Sequence, residues 1–149
     1  MSKEFRFEAQ LKADLSCPTI AARQKLDALR MKISRQQWLA LDIDERRKIN
    51  DMPAQTDSEK RQFARFVIDA IERRSGQPPS ELTSQQLEAA MPTDAMPQSI
   101  AEKAREHGFA LDAALWAKLD YDQRYVLLKF SSDERRRRKF GLALKEFLA

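Results

Sequence analysis

Reactive side chains are scarce in this chain. Cys17 is its one cysteine and His107 its one histidine, which excludes an intramolecular disulfide and any zinc site within one chain that needs two or more thiolates. Three glycines, Gly76, Gly108 and Gly141, leave almost no material for a glycine-rich phosphate cradle, so nucleotide binding of that kind is disfavoured. No apolar run approaches the roughly 20 residues that span a bilayer, and Met1 to Leu15 is too charged for a secretory h-region. The expectation is a cytoplasmic protein with no membrane segment.

What is present is material for a core. Apolar residues make up 42% of the 149 positions and charged residues 34%, the balance of a globular chain. A chain of this size buries about two thirds of the surface it exposes when unfolded. The net charge is +4 and unevenly spread: residues 1–78 carry 16 basic and 12 acidic side chains, whereas residues 79–149 carry 11 of each. Acidic residues are dispersed throughout, which argues against one continuous basic face.

Helix signals follow one another along the chain. Phe5, Phe7, Ala9 and Leu11 alternate with polar residues, a period of two that predicts a short extended arm. Ser16 or Cys17 can cap a helix that Pro18 begins. Ser34 with Gln37, Asp42 with Glu45 and Thr56 with Glu59 have capping-box spacing and predict three further starts. Pro53 ends one helix. Phe63, Phe66, Val67, Ala70 and Ile71 fall on one face of the next, which Gly76 closes.

The chain then repeats itself. Residues 30–46 align without a gap on residues 108–124 at an offset of 78, so that Trp38, Leu41, Asp42, Asp44 and Arg46 meet Trp116, Leu119, Asp120, Asp122 and Arg124. Ser34 falls over Asp112 as a cap. Upstream, Ile20 and Ala21 match Ile100 and Ala101 at an offset of 80, which predicts a leading helix about two residues shorter in the second copy. Phe63, Val67 and Ile71 correspond to Phe140, Leu144 and Leu148. The expected fold is all-α: two pseudo-repeated units of about four helices each, packed into one globular domain (1–149), with the first unit at 16–75, a connector at 76–97 and the second unit at 98–148. Two stacked units can cover apolar faces that one would leave bare, with Trp38 and Trp116 as equivalent packing anchors.

Each chemically suggestive group has a structural reading beside the functional one. Cys17 at a helix start invites a stabilised thiolate, or is a small half-buried residue beside a cap. His107 before Gly108 suits a helix C-terminus, and no oriented partner marks it as a general base. Asp42, Asp44, Glu45, Asp120 and Asp122 resemble paired carboxylates, yet stand in first helical turns where caps and the macrodipole favour acids. Arg135 to Lys139 reads as a nucleic-acid lure. On a helix these five residues sweep more than a full turn, no aromatics interleave to stack on bases, and Asp133 and Glu134 precede them.

With those residues in view, the chain resembles the nitrate reductase-associated protein family, small helical proteins typically encoded beside assimilatory nitrate reductase and molybdopterin-biosynthesis genes. The likeness is carried by Phe7-Glu8-Ala9, Cys17-Pro18 with Lys25-Leu26-Asp27, Trp38, Glu45-Arg46 and Met52-Pro53. In the second half it is carried by Glu102-Lys103-Ala104, Trp116, Gln123-Arg124 and Ala143-Leu144-Lys145-Glu146-Phe147. One departure stands out: Ala54 occupies the place where the resemblance leads one to expect a second cysteine. The resemblance implies a non-catalytic accessory protein, a maturation factor or small subunit, whose partner is the catalytic subunit of an assimilatory molybdenum-dependent nitrate reductase. It implies no catalytic residues and no cofactor or metal of its own. Phe5, Phe7, Cys17, Pro18, Arg135, Arg136, Arg138 and Lys139 are the candidate partner contacts, because the core pattern does not absorb them. The alternative is a nucleic-acid-binding helical module that uses the basic C-terminal helix.

Overall fold

Side-chain caps punctuate the chain into helices. The computed structural model describes residues 5–9, 15–132 and 136–148; among these the protein is all-α apart from one ribbon of two short strands. The chain divides into two compact units, Met1–Leu87 and Glu88–Ala149.

The first unit contains a 3-10 turn at Arg6–Glu8, then α1 (Ile20–Ala28), β1 (Met31–Lys32), α2 (Arg35–Ala40), α3 (Ile43–Asp51), α4 (Asp57–Ser75) and β2 (Ser80–Glu81). Ser34, Asp42 and Thr56 cap α2, α3 and α4 as their spacing predicts, and Gln37, Glu45 and Glu59 reciprocate in full capping boxes. Each such cap is worth about 1 kcal/mol. Trp38, Leu41 and Ile49 pack with Phe63, Val67, Ala70 and Ile71 of α4, so the long helix supplies one apolar wall and the shorter ones close over it. β1 and β2 pair antiparallel, with Met31 opposite Glu81 and Lys32 opposite Ser80. The boundary between the units falls inside α5 (Ser84–Ala90), a helix without a buried residue.

The second unit contains α6 (Gln98–Glu106), α7 (Ala113–Lys118), α8 (Tyr121–Ser131) and α9 (Arg137–Leu148). Asp112 caps α7, and Asp120 with Gln123 boxes the start of α8. Gly108 takes φ +82 just past α6, a left-handed conformation that L side chains adopt only under strain. Ile100, Trp116, Tyr125, Val126, Leu127, Phe130, Phe140 and Leu144 are among its buried residues.

Three expectations are corrected. Residues 5–9 do not form an extended arm: Glu8 folds back, its carboxylate accepting from the amides of Phe5 at 3.3 Å and Ile20 at 2.7 Å, and a 3-10 turn results. Residues 10 and 11 of that arm lie outside the described residues. Helix α1 is capped by Thr19, whose Oγ1 accepts from Ala22 N at 3.1 Å, and not by Ser16 or Cys17; a threonine hydroxyl is a good acceptor for the free amides of the first turn and a thiol a weak one, and the start moves past Pro18. Finally, α6 is not shorter than α1. Both have nine residues and lie 78 apart at both ends, so Ile100 occupies the step of Ala22. The match of Ile100 to Ile20 was one of residue type only.

Candidate functional site

The segment 15–19 carries the first group of candidates. Leu15 is buried with φ +53, and its carbonyl accepts from Trp38 Nε1 at 2.9 Å. Cys17 and Pro18 follow, both half-buried, and Thr19 N donates to Asn50 Oδ1 at 3.1 Å. Phe5 is only 4% exposed and stacks on the half-buried Phe7 at 5.6 Å. These four candidates therefore gather around the start of α1, where Glu8 ties the 3-10 turn to it, and Phe5 serves packing there instead of offering free surface.

The basic candidates lie on the second unit. Arg138 is exposed on α9, while Arg136 and Lys139 are half-buried; Arg135 lies outside the described residues. Arg137 approaches Glu106 at 3.9 Å. The run is split around the helix, as its length demands.

Most of the groups that looked reactive are absorbed by folding. Trp38 and Trp116 are 2% and 0% exposed. Arg46 spreads its guanidinium over the end of α2, donating to Trp38 O at 3.2 Å, Leu39 O at 2.9 Å and Leu15 O at 3.5 Å. Arg124 does the same 78 positions on, reaching Trp116 O at 3.2 Å, Ala117 O at 3.4 Å and Thr93 O at 3.3 Å, while Trp116 Nε1 donates to Thr93 O at 3.1 Å. Glu45 is also an ion-pair centre, bound by Arg73 at 2.6 Å and Arg74 at 3.0 Å. Although burial alone would raise its pKa, the amide it caps and the two arginines hold it below the usual carboxylate value. His107 tilts over Phe140 at 5.7 Å, and its ring lies where a side chain on Gly141 would stand.

Sequence reasoning named Lys25 only within the resemblance and missed its role. Its ammonium donates to the carbonyls of Ile49 at 2.9 Å, Asn50 at 3.1 Å and Met52 at 2.6 Å, and lies 4.8 Å from the centre of the Phe63 ring. Burial pushes its pKa down to about 8, with nearby Asp51 opposing the shift. It borders a cleft of about 210 Å³ lined by Asn50, Asp51, Met52, Pro53, Ala54 and Gln55. The Nδ2 of Asn50 is buried without a partner. The available signal was the Met52-Pro53 step, which ends α3 and leaves its last carbonyls seeking a donor. Lys103 gives its ammonium to Ser131 O at the end of α8 in the same manner.

Among the described residues, no three His, Cys, Asp or Glu side chains are placed to share a metal ion, and no helix is long and apolar enough to cross a membrane. Residues 4–147 match the model of a family described as conserved nitrate reductase-associated protein. The chain belongs to that family. This nitrate reductase-associated family is not described as a catalytic one, which accords with an accessory role. No curated protein and no solved structure matches the chain.

Proposed function

We propose that the protein is a non-catalytic accessory factor of an assimilatory, molybdenum-dependent nitrate reductase, acting on its catalytic subunit as a maturation factor or a bound small subunit. The observation that carries this reading is the family match across 4–147. The geometry adds support, because Asp42, Glu45 and Asp120, Arg46 and Arg124, and both tryptophans are engaged as caps, ion pairs, hydrogen bonds to the backbone and core. The partner contacts we assign are the half-buried Phe7, Cys17 and Pro18 beside α1, and Arg136, Arg138 and Lys139 at and just before the start of α9, to which Arg135 belongs by sequence.

We also infer that the two units descend from one repeated unit within a single working domain. In support, the cap, the indole bond and the arginine spread over the Trp helix recur 78 residues apart. A repeated rigid frame suits a protein that holds another in one conformation.

The test is a deletion strain grown on nitrate, with reductase activity and cofactor content measured alongside binding of the purified protein to purified reductase. Lower activity together with direct binding is expected. Normal activity in the deletion strain and no binding would remove the proposal, and tight, steeply salt-dependent binding to duplex DNA would favour the nucleic-acid module.

A further inference from the structure

Three exposed cations, Arg30, Lys32 and Arg35, sit together on the first unit. They run from the end of α1 through β1 to the first residue of α2. Lys32 lies in β1 and Arg30 at the turn that follows α1, with the buried Met31 between them. Among the described residues, none of the three side chains makes a hydrogen bond or ion pair, whereas Arg46, Arg73, Arg74 and Arg124 are all engaged.

Two of the three break a local rule. Arg30 has φ +57, a left-handed backbone in which any residue with a Cβ is strained. The other non-glycine residue with positive φ, Leu15, has a reason within the fold, since its side chain is core and its carbonyl receives the indole. At Arg30 only the backbone is used, its N–H donating to Asp27 O at 3.0 Å and its carbonyl accepting from Leu82 N at 2.9 Å, work that glycine would do without strain. Arg35 places a cation at the N-terminus of a helix, the end where the dipole disfavours it.

The second unit shows that the frame does not need these cations. The corresponding positions, 78 residues on, are Gly108, Ala110 and Ala113, and the backbone agrees at the helix end and at the next helix start: His107 ends α6 at φ −96, ψ 8 as Leu29 ends α1 at φ −97, ψ 8, Gly108 matches Arg30 in its positive φ, and Ala113 opens α7 as Arg35 opens α2, whereas Lys32 lies in β1 and Ala110 in no strand. Residues that depart from local preference and serve no fold contact are the mark of a functional surface.

We propose that Arg30, Lys32 and Arg35 form a docking patch for a short carboxylate-rich segment of a partner protein. Charge complementarity selects an anionic partner. The patch is short, and the exposed Glu81 borders it across the ribbon, which fits a few carboxylates better than the long phosphate track of a nucleic acid. In taking the partner to be nitrate reductase, the inference rests on the function proposed above.

The experiment substitutes the second unit's residues into the first, Arg30→Gly, Lys32→Ala and Arg35→Ala together, in the full chain. Wild type and variant are then assayed against purified nitrate reductase, a poly-glutamate peptide and duplex DNA at low and physiological salt. The variant is expected to keep its helical content, with Tm unchanged or raised by about 2 to 4 °C as the strain is released. It should bind the reductase and the peptide about 30-fold more weakly, chiefly through slower association, with a shallower salt dependence. Reductase binding that survives the substitution would overturn the patch and leave the proposed function standing. Wild type that binds the peptide through the patch but not the reductase would overturn the proposed partner and leave the patch. Failure to bind either, or a clear preference for DNA, would overturn the carboxylate assignment itself.

Discussion

Replacing each tryptophan by phenylalanine separates two otherwise equivalent sites. Trp38→Phe removes the second ring from a side chain that is 2% exposed, a volume change worth about 1 kcal/mol in a packed core. It also removes the donor to Leu15 O. That carbonyl belongs to a residue 3% exposed, and its other donor, Arg46 Nη1, lies at 3.5 Å, the limit of a hydrogen bond. A buried carbonyl left without a good donor costs about 1 to 3 kcal/mol, so Trp38→Phe should destabilise the protein by about 2 to 4 kcal/mol. Trp116→Phe loses a similar volume, but its acceptor, Thr93 O, belongs to an exposed residue and keeps Arg124 Nη1 at 3.3 Å. Water can replace the indole there, and the loss should be about 1 to 1.5 kcal/mol.

Urea unfolding followed by far-UV circular dichroism measures both values, and the slope with denaturant shows whether the unfolded state has changed. Each variant keeps one tryptophan, in the other unit, whose fluorescence reports whether that unit unfolds in the same transition. Equal losses, or a larger loss at Trp116, would refute the claim that solvent access to the acceptor carbonyl decides the difference. A loss below about 1 kcal/mol for Trp38→Phe would show that its indole bond contributes nothing.

Lys25→Met tests the ammonium seated on the end of α3. Its folded pKa of about 8 lies below its ordinary value of 10.5, so between those pH values the unfolded chain holds a proton that the folded chain has released, and wild type should gain stability on the variant as pH rises through that window. Because the side chain is only half-buried, screening limits the gain to about 1 kcal/mol; a gap that narrows instead would mean that the three carbonyls hold the charge more firmly than burial disfavours it. Gly141→Ala places a Cβ 2.7 Å from His107 Nδ1 and 3.0 Å from its Cε1, so it should lower Tm even though alanine is the better helix former by about 1 kcal/mol, and adding His107→Ala should recover the loss. A single Gly141→Ala variant with raised Tm would show that the imidazole moves aside freely.

How far the sequence could be read depended on the span of each interaction. Ser34 with Gln37, Asp42 with Glu45 and Thr56 with Glu59 were legible because each box closes within three residues, as was the capping by Asp112 and Asp120. The extended reading of residues 5–9 failed because the residue that overrides their alternation, Glu8, finds its partner twelve positions away at Ile20. The roles of Arg46 and Lys25 were hidden for the same reason: one reaches Leu15 and the other Met52, across 31 and 27 residues. At the candidate site, Phe5 drew attention as an apolar residue outside the helical pattern, yet lack of periodicity does not mean exposure, and the structure buries it.

The arginine run at 135–139 drew attention for the opposite reason, since consecutive like charges are conspicuous in one dimension. A helix disperses them, and Arg138 is exposed where Arg136 and Lys139 are half-buried. Arg30, Lys32 and Arg35 carry fewer charges and form no run, and an intervening helix start obscures them. They become informative only beside Gly108, Ala110 and Ala113, 78 positions on, in a unit where the same helix end and the same helix start are built without cations. Within such a pair of units, shared residues report what the fold requires, and positions where the backbone agrees while the side chains do not are where a partner's demands can be read. By that criterion the cap columns, Trp38 with Trp116 and Arg46 with Arg124 belong to folding, and the cations beside β1 belong to recognition.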